Sequence, residues 1–368
     1  MPSKNPLQEG ILAGRATQPG VKEDYVKKLE EFQNFARSWK LADEPDGKSG
    51  AAVKFDKALE TFMDRRYLDG YQAEYGDKLR SAVQAKWPQF AAKGDRKLPN
   101  SDRCLKGWHK VAPSRGRDPM PEEVCCAIAA QMLVNGCPAY HSRPSDISLE
   151  MALFLFLSFS TYARPSEIYG LKPTDVTRPT GSLPHPCIRV GIFESGVPTK
   201  NGVFDHSVEL DDTRWPWLAK TMLGRRVLCQ KEGRPRIFSF SAKDYTMEFK
   251  KCLSQLKIKV ALVPYQARHG GSSRDSALKL RSKEDIRRRG NWLSTNMDRR
   301  YAKPAMIQSA LEESPDRVRQ CGIDSFRPVG DVFLGGSMRE LRVAVNSASS
   351  TPMGAPAGSQ LKCRPAAA

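Results

Sequence analysis

The sequence predicts a mainly helical protein with a small antiparallel β-sheet, built as a helical N-terminal domain followed by an α+β domain. Three observations carry this. Apolar residues recur at spacings of three and four over most of the chain. Two runs, CIRVGIF at 187–193 and FDHSVEL at 204–210, have the length and the β-branched and aromatic content of strands. Between the two regions lies APSRGRDPMP, which starts at residue 112 and is rich in proline, glycine and arginine, as an exposed linker is.

Taken in order, residues 1–20 are polar and glycine-rich and are expected to be disordered. A helix over 22–39 is predicted by Tyr25, Leu29, Phe32, Phe35 and Trp39, and Pro45-Asp46-Gly47 breaks the pattern. A second helix, 51–67, turns Phe55, Leu59 and Phe62 inward. A third covers 74–87 and ends at Pro88. A fourth, 101–111, carries Leu105 and Trp108 and starts at Asn100 or Ser101 as cap. Residues 21–111 thus read as a small all-helical, basic module, and 112–120 as the linker. A basic linker suits a clamp closing on a duplex and equally suits an ordinary tether. The second domain spans 121–326. Pro121 with Glu122 and Glu123 starts a helix over 122–134. Ser145 or Asp146 caps the apolar helix that contains LEMALFLFLSF, 149–159. That run is interrupted by Glu150 and falls short of the ~20 residues a membrane span needs, so it reads as a buried helix. A short helical continuation over 166–171, a third strand over 171–176, a glycine-rich turn SGVPTKNG over 195–202, and helices over 215–232 and 241–256 follow. From 275 to about 319 the pattern is mainly helical. Residues 327–368 are rich in glycine, serine, alanine and proline and are expected to be a disordered basic tail.

The length of 368 residues is enough for two or three cored domains. A formal charge of +18 and a pI near 9.6 favour a polyanionic partner, with a plain solvated surface as the alternative. The N-terminal twenty residues have no long apolar core and contain Glu9, unlike a secretory signal, and no stretch reads as a membrane span. The nine cysteines, with Cys125 and Cys126 adjacent, fit no disulfide framework and no zinc spacing. They read as reduced thiols of an intracellular protein, with no metal or cofactor expected.

The chemistry-bearing residues concentrate in 264–304. Arg268 lies in PYQARHGGSS, where the small residues after it allow close helix packing. Arg287, Arg288 and Arg289 follow, then Trp292, then Tyr301 between Arg300 and Lys303. A nucleophilic phenol needs cations nearby to hold a phosphodiester and offset charge on phosphorus. Two more cations stand earlier in the chain. Arg164, in TYARPSEI, is either a partner for the helix C-terminus or a phosphate ligand, and Glu167 is spaced to orient it. Lys200, in the turn TKNG, is either solvated or a proton donor to a leaving oxygen. Trp292 is either a hydrogen-bond donor to a phosphate or core, and Tyr301 either a nucleophile or a packing residue.

The ordered set ARPSEIYGL, PTKNG, YQARHGGSS and RGNWLSTNMDRRYAKP resembles the tyrosine recombinase (phage integrase) family. Its last stretch looks most like the recombinases of Crypton-type and DIRS-like mobile elements. The resemblance covers about 21–315 and implies a helical core-binding domain and an α+β catalytic domain. It implies that Arg164 and Arg268 clamp the scissile phosphate and that Tyr301 attacks it, giving a 3′-phosphotyrosine. Lys200 would protonate the leaving 5′-oxygen, and Trp292 would support the phosphate, with neither metal nor ATP. One departure stands out: Tyr265 occupies the place, three before Arg268, where the family usually has histidine. A phenol, with a reference pKa of about 10, is a poor general base at neutral pH. The expected partner is double-stranded DNA bound by a homo-tetramer on paired sites, with no membrane and no small-molecule substrate, and nuclear if the source is eukaryotic. The resemblance also implies exchange of a helix over 306–313 between protomers. The competing readings are an inactive DNA-binding protein of the same fold, a type IB topoisomerase-like enzyme and a basic RNA scaffold. No RNA-binding motif supports the last.

Overall fold

The computed structural model describes residues 19–45, 49–113, 118–139, 141–196, 199, 203–294 and 304–349. The chain divides into two compact units, Met1–Gly116 and Arg117–Ala368.

Among the described residues the first unit packs α1 (Pro19–Ser38), α2 (Ser49–Leu68), α3 (Ala73–Lys86) and α4 (Pro99–Val111) together. Its core is aromatic. Phe32 meets Phe55 edge-on at 5.6 Å and Phe62 at 5.7 Å, and Phe55 stacks on Phe90 at 5.7 Å. The cap on α4 is not the local one expected. The helix begins at Pro99, so Asn100 and Ser101 fall inside its first turn. Their backbone N–H groups donate instead to the buried carboxylate of Asp56 on α2, at 2.7 and 3.0 Å. An aspartate from a neighbouring helix satisfies the orphan donors, so the cap also fastens α2 to α4.

The second unit centres on α5 (Glu122–Asn135) and α6 (Asp146–Thr161), both buried nearly all round. Ser145 is the cap of α6, accepting from the Ser148 N–H at 3.3 Å. Glu150, the charge inside the apolar run, is 1 % exposed. It is satisfied by Arg225, by Arg234 at 2.6 Å and by the Ser239 N–H and hydroxyl at 2.6 and 2.8 Å. α7 (Pro165–Tyr169) follows, then the only sheet among the described residues. β1 (Cys187–Val190) and β2 (His206–Glu209) pair antiparallel, with Cys187 opposite Glu209 and Val190 opposite His206. The strands are shorter than the sequence suggests because Gly191 (φ +69°) and Asp205 (φ +49°) turn the backbone away. The third strand expected at 171–176 is a short 3₁₀ turn, Pro173–Asp175, followed by a single bridge from Val176 to Ile188. Pro173 fixes that turn and removes a ladder donor.

α8 (Trp217–Lys231), α9 (Ala242–Gln255), α10 (Gln266–Ala277), α11 (Lys283–Arg289) and α12 (Pro304–Glu312) follow in the second unit, and α12 packs against α10 of its own chain. Over 327–349 the expected disordered tail is instead helical. α13 (Asp316–Phe333) and α14 (Arg339–Ser349) are helices packed on α5. Gly330, inside the expected tail, and Gly322, just before it, are sites of close approach. A Cβ on Gly322 would stand 2.0 Å from the Glu123 carbonyl oxygen, and one on Gly330 would stand 2.5 Å from the Trp217 ring. Val318, Val329, Val332, Leu341 and Val345 are buried on the same side. Arg342 then closes the end of α5 by donating to the carbonyls of Pro138 at 2.7 Å and His141 at 2.8 Å. Residues 1–18 and 350–368 lie outside the described set.

Beneath the sheet a buried ionic network ties these elements together. Arg274 on α10 reaches Glu122 at 2.8 Å, Asp212 at 2.8 Å and Asp275 at 2.6 Å. Arg281 bridges Asp275 at 3.0 Å and Asp211 at 2.7 Å, and Arg289 reaches Asp211 at 2.9 Å. Burial alone would raise the Asp211 and Asp212 carboxyls. The arginines and hydrogen bonds outweigh it and hold both below the ordinary aspartate value.

Replacing Arg274 with methionine leaves three carboxylates around a lost cation, and breaking a buried network this way costs about 3–5 kcal/mol. Urea unfolding of Arg274→Met, against the wild type, measures it. The same network sets the acid limit. Groups whose folded pKa is depressed contribute full stability above the unfolded value, about 3.9, and lose it as pH falls through the lower folded value. With Arg274 gone the depression of Asp212 shrinks, so acid unfolding of Arg274→Met should begin at a higher pH than that of the wild type.

Candidate active site

The site forms where α6 ends. Its last residue is Thr161, and Tyr162 then adopts a left-handed conformation (φ 54°) that stops the helix and redirects the chain. That turn delivers Arg164 to the N-cap of α7. Glu167 binds it twice, accepting from the backbone N–H at 2.7 Å and from the guanidinium Nη1 at 2.7 Å. The guanidinium is therefore oriented by the carboxylate, and its side chain is 12 % exposed.

Arg268 arrives from α10, which lies close against α6. A Cβ on Gly271 would stand 1.8 Å from the Phe159 carbonyl oxygen, and one on Gly270 would stand 2.0 Å from that of Met120. Only glycine permits this approach, and it brings the Arg268 guanidinium under the α6 turn. There Nη1 donates to the Tyr162 carbonyl, two residues before Arg164, and Nη2 donates to the Gly290 carbonyl at 2.6 Å. Arg268 is 1 % exposed. Trp292 completes the floor. Its ring lies parallel to Tyr162 with centroids 6.4 Å apart, and the Arg268 guanidinium carbon is 5.2 Å from its centroid. The Tyr162 hydroxyl donates to Asp275, joining this floor to the ionic network.

Four consecutive residues leaving α11 each hold a different part of the site. The Arg289 carbonyl meets His206 Nε2 at 3.3 Å, and the Gly290 carbonyl accepts from Arg268. The Asn291 side chain donates to the Thr199 hydroxyl at 3.0 Å, and Trp292 lies against Tyr162. Asn291 is left-handed (φ 49°), a conformation asparagine tolerates better than most residues. Thr199 is itself pinned. Its N–H donates to the Val203 carbonyl at 2.9 Å, and its hydroxyl accepts from the Val203 N–H at 3.2 Å.

Of the residues singled out in the sequence, Arg164, Arg268 and Trp292 come together at the α6 turn. Tyr265 occupies the N-cap of α10, where its ring meets that of His269 edge-on at 5.3 Å. Lys200 and Tyr301 lie outside the described residues. Lys200 follows the pinned Thr199 in the chain, and Tyr301 follows Trp292 by nine positions. Sequence reasoning missed Tyr162, Thr199, Asn291 and His206. Asn291, before Trp292, carried the weak signal of a residue suited to a left-handed turn. His206 carried none, because its partner stands 83 positions away.

His206 is half-buried at the start of β2. Burial pushes its imidazole below the usual histidine value, and the positive charges of Arg268 and Arg164 act in the same direction. The Arg289 carbonyl and Glu167 oppose them without prevailing. The Tyr162 phenol is driven far up by burial and by Asp275. Among the described residues no cluster of three or more histidine, cysteine, aspartate or glutamate side chains could hold a metal ion, and no helix is long and apolar enough to cross a membrane. Two guanidinium groups held by a carboxylate and by backbone carbonyls form a preorganised positive site, and such a site suits an oxyanion.

No protein-family model matches this chain, and no curated protein does. A solved structure described as the crystal structure of XerA recombinase aligns with it at a TM-score of 0.37 and 14 % identity, covering 83 % of this chain and 96 % of that one. Similarity at that level leaves fold and function to be argued from the residues themselves.

Proposed function

We propose that this chain breaks and rejoins duplex DNA through a 3′-phosphotyrosine intermediate, as a site-specific recombinase or integrase of the kind carried by mobile elements. One observation supports it above the others: Arg268, 104 positions on from Arg164 in the chain, donates to the Tyr162 carbonyl two residues before Arg164 and lies over Trp292. The formal charge of +18 suits a DNA partner. In this reading the two arginines bind the non-bridging oxygens of the scissile phosphate. Tyr301 attacks phosphorus, the 5′-oxygen leaves with a proton from Lys200, and Trp292 and Tyr265 line the phosphate. The bond energy stays in the protein–DNA ester, so rejoining needs no ATP. Action on two sites calls for a homo-tetramer, with 306–313 as the segment that would link protomers. Tyr265, in place of an imidazole, is what favours the second reading, a DNA-binding protein without cleavage activity.

Covalent trapping separates the two. Wild-type protein incubated with supercoiled plasmid and then denatured should carry DNA on the 3′ side of the break, and Tyr301→Phe should carry none while binding DNA normally. An equal adduct in Tyr301→Phe removes the assignment of the nucleophile. No adduct in either protein, with salt-sensitive binding in both, favours the inactive reading, and relaxation of plasmid without exchange between sites favours a topoisomerase.

Arg268→Lys keeps the charge but loses the two-pronged donor set, and should lower adduct formation by at least about 10²-fold. Non-specific binding should keep its slope against salt, because that slope counts surface phosphate contacts. Retained cleavage in both Arg268→Lys and Arg164→Ala, measured on the same plasmid, would refute the clamp.

A further inference from the structure

Proton transfer is the part of this chemistry that the arginines leave unassigned. A phenol attacking phosphorus must lose its proton, and at neutral pH the group best matched to take it is a neutral imidazole. Tyr265 offers a second phenol instead. His206 offers an imidazole already inside the site. Its Nε2 faces the Arg289 carbonyl at 3.3 Å, and a carbonyl only accepts, so Nε2 carries the ring hydrogen. In the neutral ring the other nitrogen, Nδ1, is then a basic lone pair, and it makes no hydrogen bond among the described residues. The carbonyl that anchors His206 belongs to the residue next to Gly290, whose own carbonyl holds Arg268 at 2.6 Å. Two consecutive backbone carbonyls therefore set the imidazole beside the arginine.

Resting on the recombinase reading above, we propose that His206 is the proton acceptor of this site, filling the role that Tyr265 cannot. Nδ1 takes the phenol proton as the phenol oxygen's electron pair forms the bond to phosphorus. The bond from phosphorus to the 5′-oxygen breaks, its electron pair goes to that oxygen, and the Lys200 ammonium protonates it. Rejoining runs the same transfers backwards, so the imidazolium returns its proton to the departing phenol oxygen.

The environment keeps the ring ready for this. Arg164 and Glu167 face it from the start of α7, Arg268 from α10 and the Arg289 carbonyl from α11. With burial included, they leave it below the usual value near 6.5 and therefore neutral at neutral pH. Activity should then fall with acid through a single limb whose midpoint lies below that value. The sign follows from the role: a base works only when deprotonated, so activity is present above its pKa and lost below it.

The test uses the full chain and a nicked duplex built on the plasmid sequence where the wild-type adduct forms. Adduct formation is followed in a single turnover across pH. His206→Gln keeps an N–H for the Arg289 carbonyl but has no basic lone pair, so the fold is retained and the proton acceptor is lost. We expect it to react about 10²- to 10⁴-fold more slowly, with the acid limb gone. His206→Ala should behave alike and regain rate when free imidazole is added, while His269→Asn should keep the acid limb. The assignment is overturned if His206→Gln reacts at the wild-type rate, if it slows but retains the limb, or if His269→Asn is the variant that abolishes the limb. These outcomes are distinct from failure of the recombinase reading, in which the wild type itself forms no Tyr301 adduct.

Discussion

The Asp275 carboxylate is the constraint on which the second unit depends. It is 1 % exposed and touches groups from three parts of the chain: Arg274 beside it on α10, Arg281 before α11, and the Tyr162 hydroxyl at the end of α6. A carboxylate so deeply buried is tolerated only when fully paired. Pairing it fixes α10 against α6 and the approach to α11 against both. Those are the elements that bring Arg268, Arg164 and the 289–292 segment to one place. The two glycines after His269 act on the same contact from the steric side, since any side chain there would push α10 off α6. Electrostatics and close packing thus specify one arrangement, and the site inherits its geometry from both.

The helical content and the small antiparallel sheet were legible in the sequence because apolar periodicity and strand-like runs are local signals. The buried character of α6 was legible too, and Arg164, Arg268 and Trp292 stood out only as members of an ordered set. The rest depended on distance in the chain. Asp56 caps a helix that starts 43 positions later, and nothing near Pro99 announces it. The C-terminal helices were hidden by composition: glycine, serine, alanine and proline suggested a tail, whereas Gly330 within it is where the backbone meets the Trp217 ring. A glycine required for close packing and a glycine in a loose segment look alike until the neighbour is known.

His206 marks the same boundary at the site. A histidine in a short strand is unremarkable from its neighbours, and even the alternation of β2 tells only which side it takes. Its meaning comes from a carbonyl at the end of α11 and from charges on α7 and α10. The sequence made Tyr265 conspicuous because it departs from a pattern. It could not indicate where an imidazole might be found instead.

The run from Arg289 to Trp292 has a consequence for how this protein can vary. Each of its four residues meets a different partner, and two of the four contacts, at Arg289 and Gly290, are made by backbone carbonyls. Side chains matter at both positions as well: Arg289 reaches Asp211 and the Ser160 and Glu209 carbonyls, and a Cβ on Gly290 would stand 2.6 Å from the Trp292 ring. A single inserted or deleted residue would slide all four partners out of step together, and a substitution at 289 would remove the side-chain contacts that hold the segment down. The segment behaves as a ruler, and what natural variation must preserve there is its length together with Arg289 and Gly290.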